Sequence, residues 1–292
     1  MCGSVENEDG AMSTSKYSIT DPYFDQSIIR SILTFLFERT GYDFSVYSDT
    51  FIRRRLNAII GVENLADLSD LLERIAVDNR LLNRIVQSVP IYTTELFRDS
   101  LFFKQFREQV VPILRTYPYL RIWHAGCSTG EEAYSMAILL KEEGLYDRTK
   151  IYATDLHEPL LEKAKNAIYP LYWLDQNRKN YDKAGGSADF SKYYSDTANF
   201  VILDPSLKQN IVFAQHNLTT DGVFNEFNVI LCRNVLIYFN WTYQNHVHRL
   251  LYDSLMPLGI LALGNSESIR GSEREDCYRI VDSKARLFQR MR

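Results

Sequence analysis

The chain has 292 residues, of which 46% are hydrophobic and 13% aromatic, and its formal net charge is −4. This composition suffices for a packed core in one large or two smaller domains, and the negative charge excludes a general affinity for nucleic acid or anionic membranes. No apolar run is long enough to span a bilayer, no signal peptide opens the chain, and four scattered cysteines lack the spacing of a zinc site. We therefore expect a cytoplasmic protein with reduced thiols and no metal, which neither enters the membrane nor binds nucleic acid.

The N-terminal part of the chain is predicted to be helical. Residues 1–20 are rich in Ser, Gly, Glu and Asn and are interpreted as a disordered leader. An apolar stripe over 28–37 then predicts a helix that ends at Gly41. Further helices are predicted over 50–60, 65–75 and 80–89. No strand pattern interrupts them, so we expect residues 21–90 to form a small helical domain.

The second predicted helix carries three consecutive arginines, Arg53, Arg54 and Arg55, in an otherwise acidic protein. Such a run can be a solvated face of a helix. It can also be a docking surface for an acidic partner, because guanidinium groups match the geometry of carboxylates.

Residues 91–118 are predicted to link the two domains, with a helix from about 100 to 115. Just before this helix, Arg98 follows Leu96 and Phe97, which favours a partly buried position for its side chain. The alternative is a pairing of Arg98 with Asp99 at the start of the helix, which contributes little at a surface.

The stretch 121–140 predicts a strand, a tight turn and a helix, the first unit of a doubly wound α/β sheet. Gly126 and Gly130 allow a sharp turn and the close approach of a ligand. Glu131 and Glu132 in the first helical turn disfavour a phosphate, and the turn lacks the G-x-G-x-x-G pattern of dinucleotide sites. The turn suits a cationic ligand such as the ammonium and sulfonium of S-adenosylmethionine. The alternative is an ordinary strand–turn–helix with solvated glutamates.

Polar residues follow or interrupt the next three predicted strands. Asp155 ends the second strand (150–155), where an acid binds the ribose hydroxyls of adenosine in such folds, or caps the next helix. Asn217, at the end of the third strand (210–218), can pair with an adenine edge or begin a turn. Arg233 and Asn234 interrupt the apolar fourth strand (228–239), where a ligand can supply the partners that they need.

The remaining segments complete a domain over residues 119–292. A helix is predicted over 242–255 and final strands over 259–264 and 278–291. Residues 169–209 depart from the strand–helix alternation, with one predicted strand at 199–203, and an insertion of this size is usually a functional loop or subdomain.

Six motifs together resemble the CheR-type family of bacterial chemotaxis receptor methyltransferases. They are Thr94–Asp99 (T-E-L-F-R-D), Ala125–Ser135 (A-G-C-S-T-G-E-E-A-Y-S), Ala153–Asp155 (A-T-D), His216–Leu218 (H-N-L), Cys232–Phe239 (C-R-N-V-L-I-Y-F) and Leu263–Glu267 (L-G-N-S-E). The resemblance covers about residue 25 to the C-terminus. It implies a class I S-adenosylmethionine methyltransferase sheet with a small β-subdomain inserted at 169–209, preceded by an all-helical domain. The implied reaction converts glutamate side chains of chemoreceptor helices into γ-methyl esters, with S-adenosylhomocysteine as product, and we expect the enzyme to be a monomer.

The resemblance also implies the residues of the site by motif position. Those implied to contact the cofactor are Thr94, Arg98, Glu132, Asp155, Asn217, Leu218, Arg233 and Asn234, beside the turn at Gly126. Arg98 and Tyr238 match the residues nearest to the transferred methyl group, and the helix with Arg53, Arg54 and Arg55 matches the receptor-docking face. The chain departs from the family pattern at Tyr92, where asparagine is frequent, and at Asn265, where histidine is usual.

Other functions are compatible with parts of this pattern. A methyltransferase for another protein or a small molecule would not need the arginine-bearing helix. A non-catalytic module that binds S-adenosylmethionine or its product would not need Arg98 and Tyr238. A nicotinamide dehydrogenase is disfavoured by the glycine turn and by its two glutamates.

Overall fold

The structure is a computed structural model that describes residues 22–88 and 94–291. The described residues divide into two compact units, one formed by residues 22–44 and 53–88 and the other by residues 45–52 and 94–291. The predicted leader at 1–20 and Tyr92 lie outside the described residues. Within them, none of the helices combines the length and apolar character that a membrane span requires.

The described residues of the first unit form helices joined by short turns and contain no strand, which confirms the predicted all-helical N-terminal domain. Its helices are α1 (Pro22–Thr40), α2 (Asp49–Glu63, which starts in the second unit), α3 (Leu68–Val77) and α4 (Asn79–Ser88). Helix α1 ends as predicted, because Gly41 adopts a φ of +76° and its N–H donates to the Phe37 carbonyl oxygen at 2.8 Å. Helix α3 begins where the Asp67 carboxylate accepts the N–H groups of Ser69 and Asp70.

The three arginines of α2 have three different environments. Arg53 pairs with Asp25 at 2.6 Å, Arg54 is exposed and Arg55 is half-buried. Consecutive residues of an α-helix point in different directions, since one turn takes 3.6 residues. The three side chains therefore do not form one basic face, and receptor docking through them remains a prediction.

The second unit contains a seven-stranded sheet in the order β6-β2-β1-β7-β8-β10-β9. Its strands are β1 (Leu120–Ala125), β2 (Thr149–Asp155), β6 (Ile211–Gln215), β7 (Phe227–Cys232), β8 (Leu255–Leu263), β9 (Tyr278–Asp282) and β10 (Leu287–Arg290). The first five in this order are parallel, and β10 runs antiparallel between β8 and β9. This is the predicted class I methyltransferase architecture.

Helices cover both faces of the sheet. They are α5 (Ser100–Gln105) with a π-turn at 106–110 leading into α6 (Val111–Leu114), then α7 (Glu131–Glu142), α8 (Glu158–Asn166) and α10 (Trp241–Ser254). Side chains of β1 alternate between two core clusters, with Ile122 in one and Trp123 in the other. Burial on both faces explains the nearly continuous apolar runs of the central strands. The predicted linker helix contributes Phe102 and Phe106 to the first cluster, so it is part of the packed core.

The inserted subdomain is a three-stranded antiparallel sheet with a helix. Strands β3 (Ile168–Pro170), β4 (Tyr194–Asp196) and β5 (Phe200–Leu203) are ordered β3-β5-β4, and β5 lies at the predicted strand. Helix α9 (Leu174–Lys183) was not predicted, because its sequence is almost entirely polar. The buried carboxylate of Glu142 on α7 holds the insertion in place by accepting hydrogen bonds from the Tyr181 and Tyr193 hydroxyls.

Two predicted strands were wrong in extent. The fourth strand, β7, ends at Cys232, so Arg233 and Asn234 follow its carboxyl end and do not interrupt it. The backbone leaves the sheet there because Asn234 has a φ of +60°. The single strand predicted over 278–291 is the hairpin of β9 and β10, whose turn at 283–286 uses Asp282 as acceptor for the N–H groups of Lys284 and Ala285.

Candidate active site

The candidate site lies where the parallel strands end together. Strands β1, β2 and β7 end at Ala125, Asp155 and Cys232. Strand β2 lies on one side of β1 and strand β7 on the other, so the direction in which the chain adds strands reverses at β1. In open α/β sheets ligands bind outside the carboxyl ends of the strands at such a switch point. The predicted site residues around Gly126, Asp155 and Arg233 therefore come to one edge.

The turn after β1 needs glycine for two separate reasons. Gly126 has a φ of +77°, and a Cβ built on it would lie 2.6 Å from Cγ2 of Val235 in the loop after β7. Its N–H and that of Cys127 both donate to the Thr154 carbonyl oxygen at 2.8 Å, which ties the turn to the end of β2. Gly130 has a φ of +93° and packs against Ala164 of α8. The two glycines thus allow the turn after β1 to contact the end of β2, helix α8 and the loop after β7.

Asp155 is oriented by the backbone on both sides of it. One carboxylate oxygen accepts the Ser128 N–H at 2.8 Å and the other accepts the His157 N–H at 3.0 Å. Helix α8 begins at Glu158 with His157 as its N-cap, so Asp155 is not the cap that the alternative interpretation expected. Burial raises the pKa of Asp155, and the two N–H donors partly oppose this. Each oxygen retains acceptor capacity for the hydroxyls of a ligand.

Glu131 and Glu132 do not have the environments that either sequence interpretation assumed. Glu131 is completely buried, and its carboxylate accepts the Thr129 hydroxyl at 2.7 Å. Burial raises the pKa of Glu131 to about 7. It is therefore not a solvated surface glutamate. Glu132 accepts hydrogen bonds from His124 at 2.9 Å and Arg233 at 2.8 Å, and these partners outweigh burial and lower its pKa.

Arg233 connects the end of β7 to the loop before α5. Its guanidinium donates to Glu132 at 2.8 Å and to Asp99 at 2.9 Å, and it lies 3.9 Å from the ring centroid of Phe102. The side chain is only 1% exposed. Two carboxylates and an aromatic ring of the protein thus contact this guanidinium, while its buried Nε has no hydrogen-bond partner among the described residues. A contact of Arg233 with the cofactor remains a prediction.

The loop that carries Arg98 is held in an unfavourable backbone conformation. Phe97 and Asp99, on either side of Arg98, have φ values of +53° and +57°. A left-handed conformation costs a non-glycine residue about 1–2 kcal/mol, so other contacts must stabilise it. The Phe97 N–H donates to Ser135 Oγ of α7 at 2.8 Å, and Asp99 accepts from Arg233. Arg98 is half-buried between these two anchored residues, in agreement with the prediction from Leu96 and Phe97.

Glu267 organises the loop after β7, a role that the sequence did not reveal. Its carboxylate is 3% exposed and accepts backbone N–H groups from Gly264 at 2.5 Å, Asn234 at 2.9 Å and Val235 at 2.7 Å. A weaker bond at 3.4 Å comes from Ile237. Burial raises its pKa and the N–H donors partly lower it. The motif Leu263–Glu267 contained this signal, but nothing local indicates which backbone the glutamate would bind.

Tyr238 lies at the end of the same loop, in a 3₁₀ turn at 236–238. Its ring centroid is 5.0 Å from that of Phe51, and its carbonyl oxygen accepts the Ser48 N–H at 2.8 Å. Residues 45–52 thus belong to the second unit because they pack against this loop. The half-buried position of Tyr238 leaves part of its side chain accessible.

The remaining predicted contacts are less closely tied to this edge. Asn217 accepts the N–H and hydroxyl of Thr219 with its side-chain oxygen, so it stabilises a turn, while its amide nitrogen remains compatible with an adenine contact. Leu218 is 7% exposed and packs in the second core cluster. Thr94 is half-buried. The binding roles of these three residues remain predictions.

The residues present fit an adenosyl group better than a pyrophosphate. The oriented carboxylate of Asp155 matches ribose hydroxyls, and Ser128 Oγ beside it is buried without a partner among the described residues. The helix N-terminus that would receive a phosphate carries Glu131 and Glu132. No group of three or more His, Cys, Asp or Glu within 22–88 and 94–291 could hold a metal ion.

Comparison with known proteins gives matches over both units. Residues 92–286 match the family described as CheR methyltransferase, SAM binding domain, and residues 28–89 match CheR methyltransferase, all-alpha domain. The chain is 41% identical over 262 residues to Cher3 of Pseudomonas putida, covering 90% of this chain and 96% of that protein. It is 31% identical over 231 residues to a chemotaxis protein methyltransferase of Listeria innocua, covering 78% and 85%. Chemotaxis protein methyltransferase 1 of Vibrio cholerae is 30% identical over 258 residues, covering 83% and 89%.

Proposed function

Because the chain belongs to the CheR methyltransferase family, we propose that this S-adenosylmethionine-dependent methyltransferase converts glutamate side chains of chemoreceptors into γ-methyl esters. The observation that carries the proposal is the anchored loop around Arg98, which lies beside the Asp99–Arg233–Glu132 chain at the carboxyl edge of the sheet. The names of its Listeria and Vibrio relatives support a chemotaxis substrate.

Several residues are proposed to hold the cofactor at this edge. Asp155 would accept ribose hydroxyls, and the glycine turn at Gly126 would border the adenosyl group. S-adenosylmethionine, when bound, supplies an electrophilic methyl group on a positively charged sulfur. Thr94, Asn217 and Leu218 would complete the contacts, as the family motifs imply.

The protein has to position its substrate without activating it by deprotonation. A glutamate side chain has a reference pKa of about 4.3 and is ionised at neutral pH, so no general base is needed. Arg98 is proposed to orient a carboxylate, either that of the substrate or that of the cofactor, since the guanidinium fork binds carboxylates in a defined geometry. Tyr238 is proposed to donate a hydrogen bond near the reacting groups or to form a wall of the pocket. Removing water from the substrate carboxylate would be a further contribution of the enclosed edge.

The direct test is incubation with radiolabelled S-adenosylmethionine and chemoreceptor-bearing membranes, followed by base treatment. A γ-methyl glutamyl ester releases labelled methanol in base, whereas methylated amines do not. Absence of base-labile label would refute the proposed substrate, and label on another protein would favour the alternative methyltransferase.

The role of Arg98 can be tested in the same assay. We expect Arg98→Ala to lower turnover by about 100-fold or more, because a misplaced carboxylate loses most of the advantage of orientation. Arg249→Ala is the matched control, since Arg249 forms an exposed ion pair with Glu273 and neither residue belongs to a site motif. Near-normal turnover of Arg98→Ala would exclude both roles proposed for this residue.

A further inference from the structure

A broad cleft in the second unit is lined by lysines from three separate segments. Its volume is about 590 Å³, and its lining includes Lys104 of α5, Lys183 at the end of α9 and Lys284 in the turn between β9 and β10. All three lysines are exposed. They are far apart in sequence, so only the tertiary fold brings their charges to one cleft.

The positive charge of this cleft is not neutralised by the protein. Among the described residues, none of the three ammonium groups forms an ion pair, whereas Lys165 elsewhere on the surface pairs with Glu158 and Glu162. The lining contains one carboxylate, that of Asp99, which already pairs with Arg233 at 2.9 Å. The three lysines therefore form an unneutralised cluster of cations on a chain whose net charge is −4. It produces a local positive potential that attracts an anionic partner.

The cleft adjoins the candidate active site at two points. Asp99, in its lining, is the residue after Arg98, and Asn265, also in its lining, follows Gly264, whose N–H binds the Glu267 carboxylate. A polypeptide seated in the cleft would therefore pass beside the loop that carries Arg98. Leu101 in the lining is 51% exposed and offers an apolar contact between the charges.

We propose that this lysine cleft binds an acidic segment of the protein substrate, next to the side chain that is methylated. The inference rests on the proposed function, since it assigns a recognition surface to the same reaction. The occupant is an acidic polypeptide and not a single phosphate, because the lysines are distributed over three segments around a wide and open cleft. A phosphate site would instead concentrate backbone N–H groups around one anion.

The test compares a triple variant with a control of equal charge. Lys104→Ala, Lys183→Ala and Lys284→Ala are combined in one protein. The control combines Lys163→Ala, Lys179→Ala and Lys192→Ala, which remove three exposed lysines that do not line the cleft. Binding of a fluorescently labelled peptide rich in Glu and Ala is measured by anisotropy, with the corresponding Gln-rich peptide for comparison. Affinity for S-adenosylmethionine, measured by calorimetry, reports on the integrity of each fold.

The cleft variant is expected to bind the Glu-rich peptide about tenfold more weakly than wild type, because each exposed ion pair contributes only a fewfold. The control should bind like wild type, binding should weaken with salt, and the Gln-rich peptide should not bind. Equal affinity of the two variants for the Glu-rich peptide would overturn the inference. Displacement of the peptide from wild type by millimolar inorganic phosphate would overturn it as well, since the cleft would then be a general anion site.

A second measurement separates this inference from the proposed function. In receptor methylation, the cleft variant should show a KM for the receptor about tenfold higher than that of the control. Methylation by wild type with equal KM values for both variants would refute the cleft alone. Peptide binding that depends on the lysines, without receptor methylation by wild type, would refute the chemoreceptor substrate alone.

Discussion

Replacing Glu267 by glutamine would test how the loop after β7 is held in place. One carboxylate oxygen accepts the N–H groups of Gly264 and Asn234, and the other accepts those of Val235 and Ile237. Glutamine keeps only one oxygen. In either orientation its NH₂ group therefore faces two backbone donors, which lose their acceptor.

The less costly orientation turns the NH₂ group toward Val235 and Ile237, because the Ile237 bond at 3.4 Å is already weak. The Val235 N–H, bonded at 2.7 Å, then becomes an unsatisfied donor in a partly buried position. Such a loss costs about 1–3 kcal/mol. We therefore expect Glu267→Gln to lower the free energy of unfolding by about 2 kcal/mol at pH 8. The loop that carries Asn234 and Tyr238 should also move. The rate of methyl transfer should therefore fall by more than the decrease in the folded fraction of the enzyme would predict.

Urea unfolding followed by tryptophan fluorescence is the appropriate assay, because all three tryptophans, Trp123, Trp173 and Trp241, lie in the second unit. Glu273→Gln is the control, since Glu273 is 60% exposed and pairs only at the surface. It should change stability by less than about 1 kcal/mol. If Glu267→Gln matches this control in stability and retains wild-type affinity for S-adenosylmethionine, the carboxylate does not hold the loop.

Three further predictions follow from the same edge of the sheet. Asp155→Ala should weaken S-adenosylmethionine binding by about 10- to 100-fold in calorimetry, because it removes a charged acceptor, and unchanged affinity would remove Asp155 from the site. Burial raises the pKa of Glu131 from 4.5 to about 7, so the folded protein favours the protonated side chain. The resulting contribution to the free energy of unfolding is fully present below pH 4.5 and is lost as the pH rises through 7. Relative to Glu131→Gln, wild type should thus lose about 3 kcal/mol of unfolding free energy between pH 5 and 9, and parallel pH profiles in urea unfolding would contradict this. Gly126→Ala should destabilise the second unit more than Gly144→Ala, because both glycines have positive φ but only a Cβ at Gly126 would meet Val235, at 2.6 Å; equal losses in urea unfolding would show that no steric contact matters there.

Much of the fold could be predicted because its signals are local. Apolar periodicity identified the helices of the first unit, and the second strand, predicted over 150–155, is observed at Thr149–Asp155. Strand β7 was predicted too long, since its apolar pattern continues beyond Cys232 although Asn234 turns the backbone out of the sheet. Helix α9 was missed because it has too few apolar residues to show a helical period, and its contact with Glu142 comes through the Tyr181 hydroxyl.

The sequence supplied candidate residues for the site but not the contacts between them. Asp155 was a candidate because it ends a strand, Arg233 because it interrupts an apolar run, and Arg98 because of the family resemblance. Glu131 is buried, Glu132 pairs with Arg233 and His124, and Asp99 pairs with Arg233. These environments depend on side chains from different elements. A charge in the sequence carries no information about its partner when the two residues are far apart along the chain.

The sequence by itself determined the two-part architecture, the glycine turn, the strand-end acid and the family, because each depends on residues that are neighbours in the chain. Only the tertiary structure decided that Glu267 holds the loop after β7 and that Lys104, Lys183 and Lys284 face one cleft. Hydrogen bonds and electrostatic fields depend on distance in space, and folding sets those distances between residues that the linear pattern leaves unrelated.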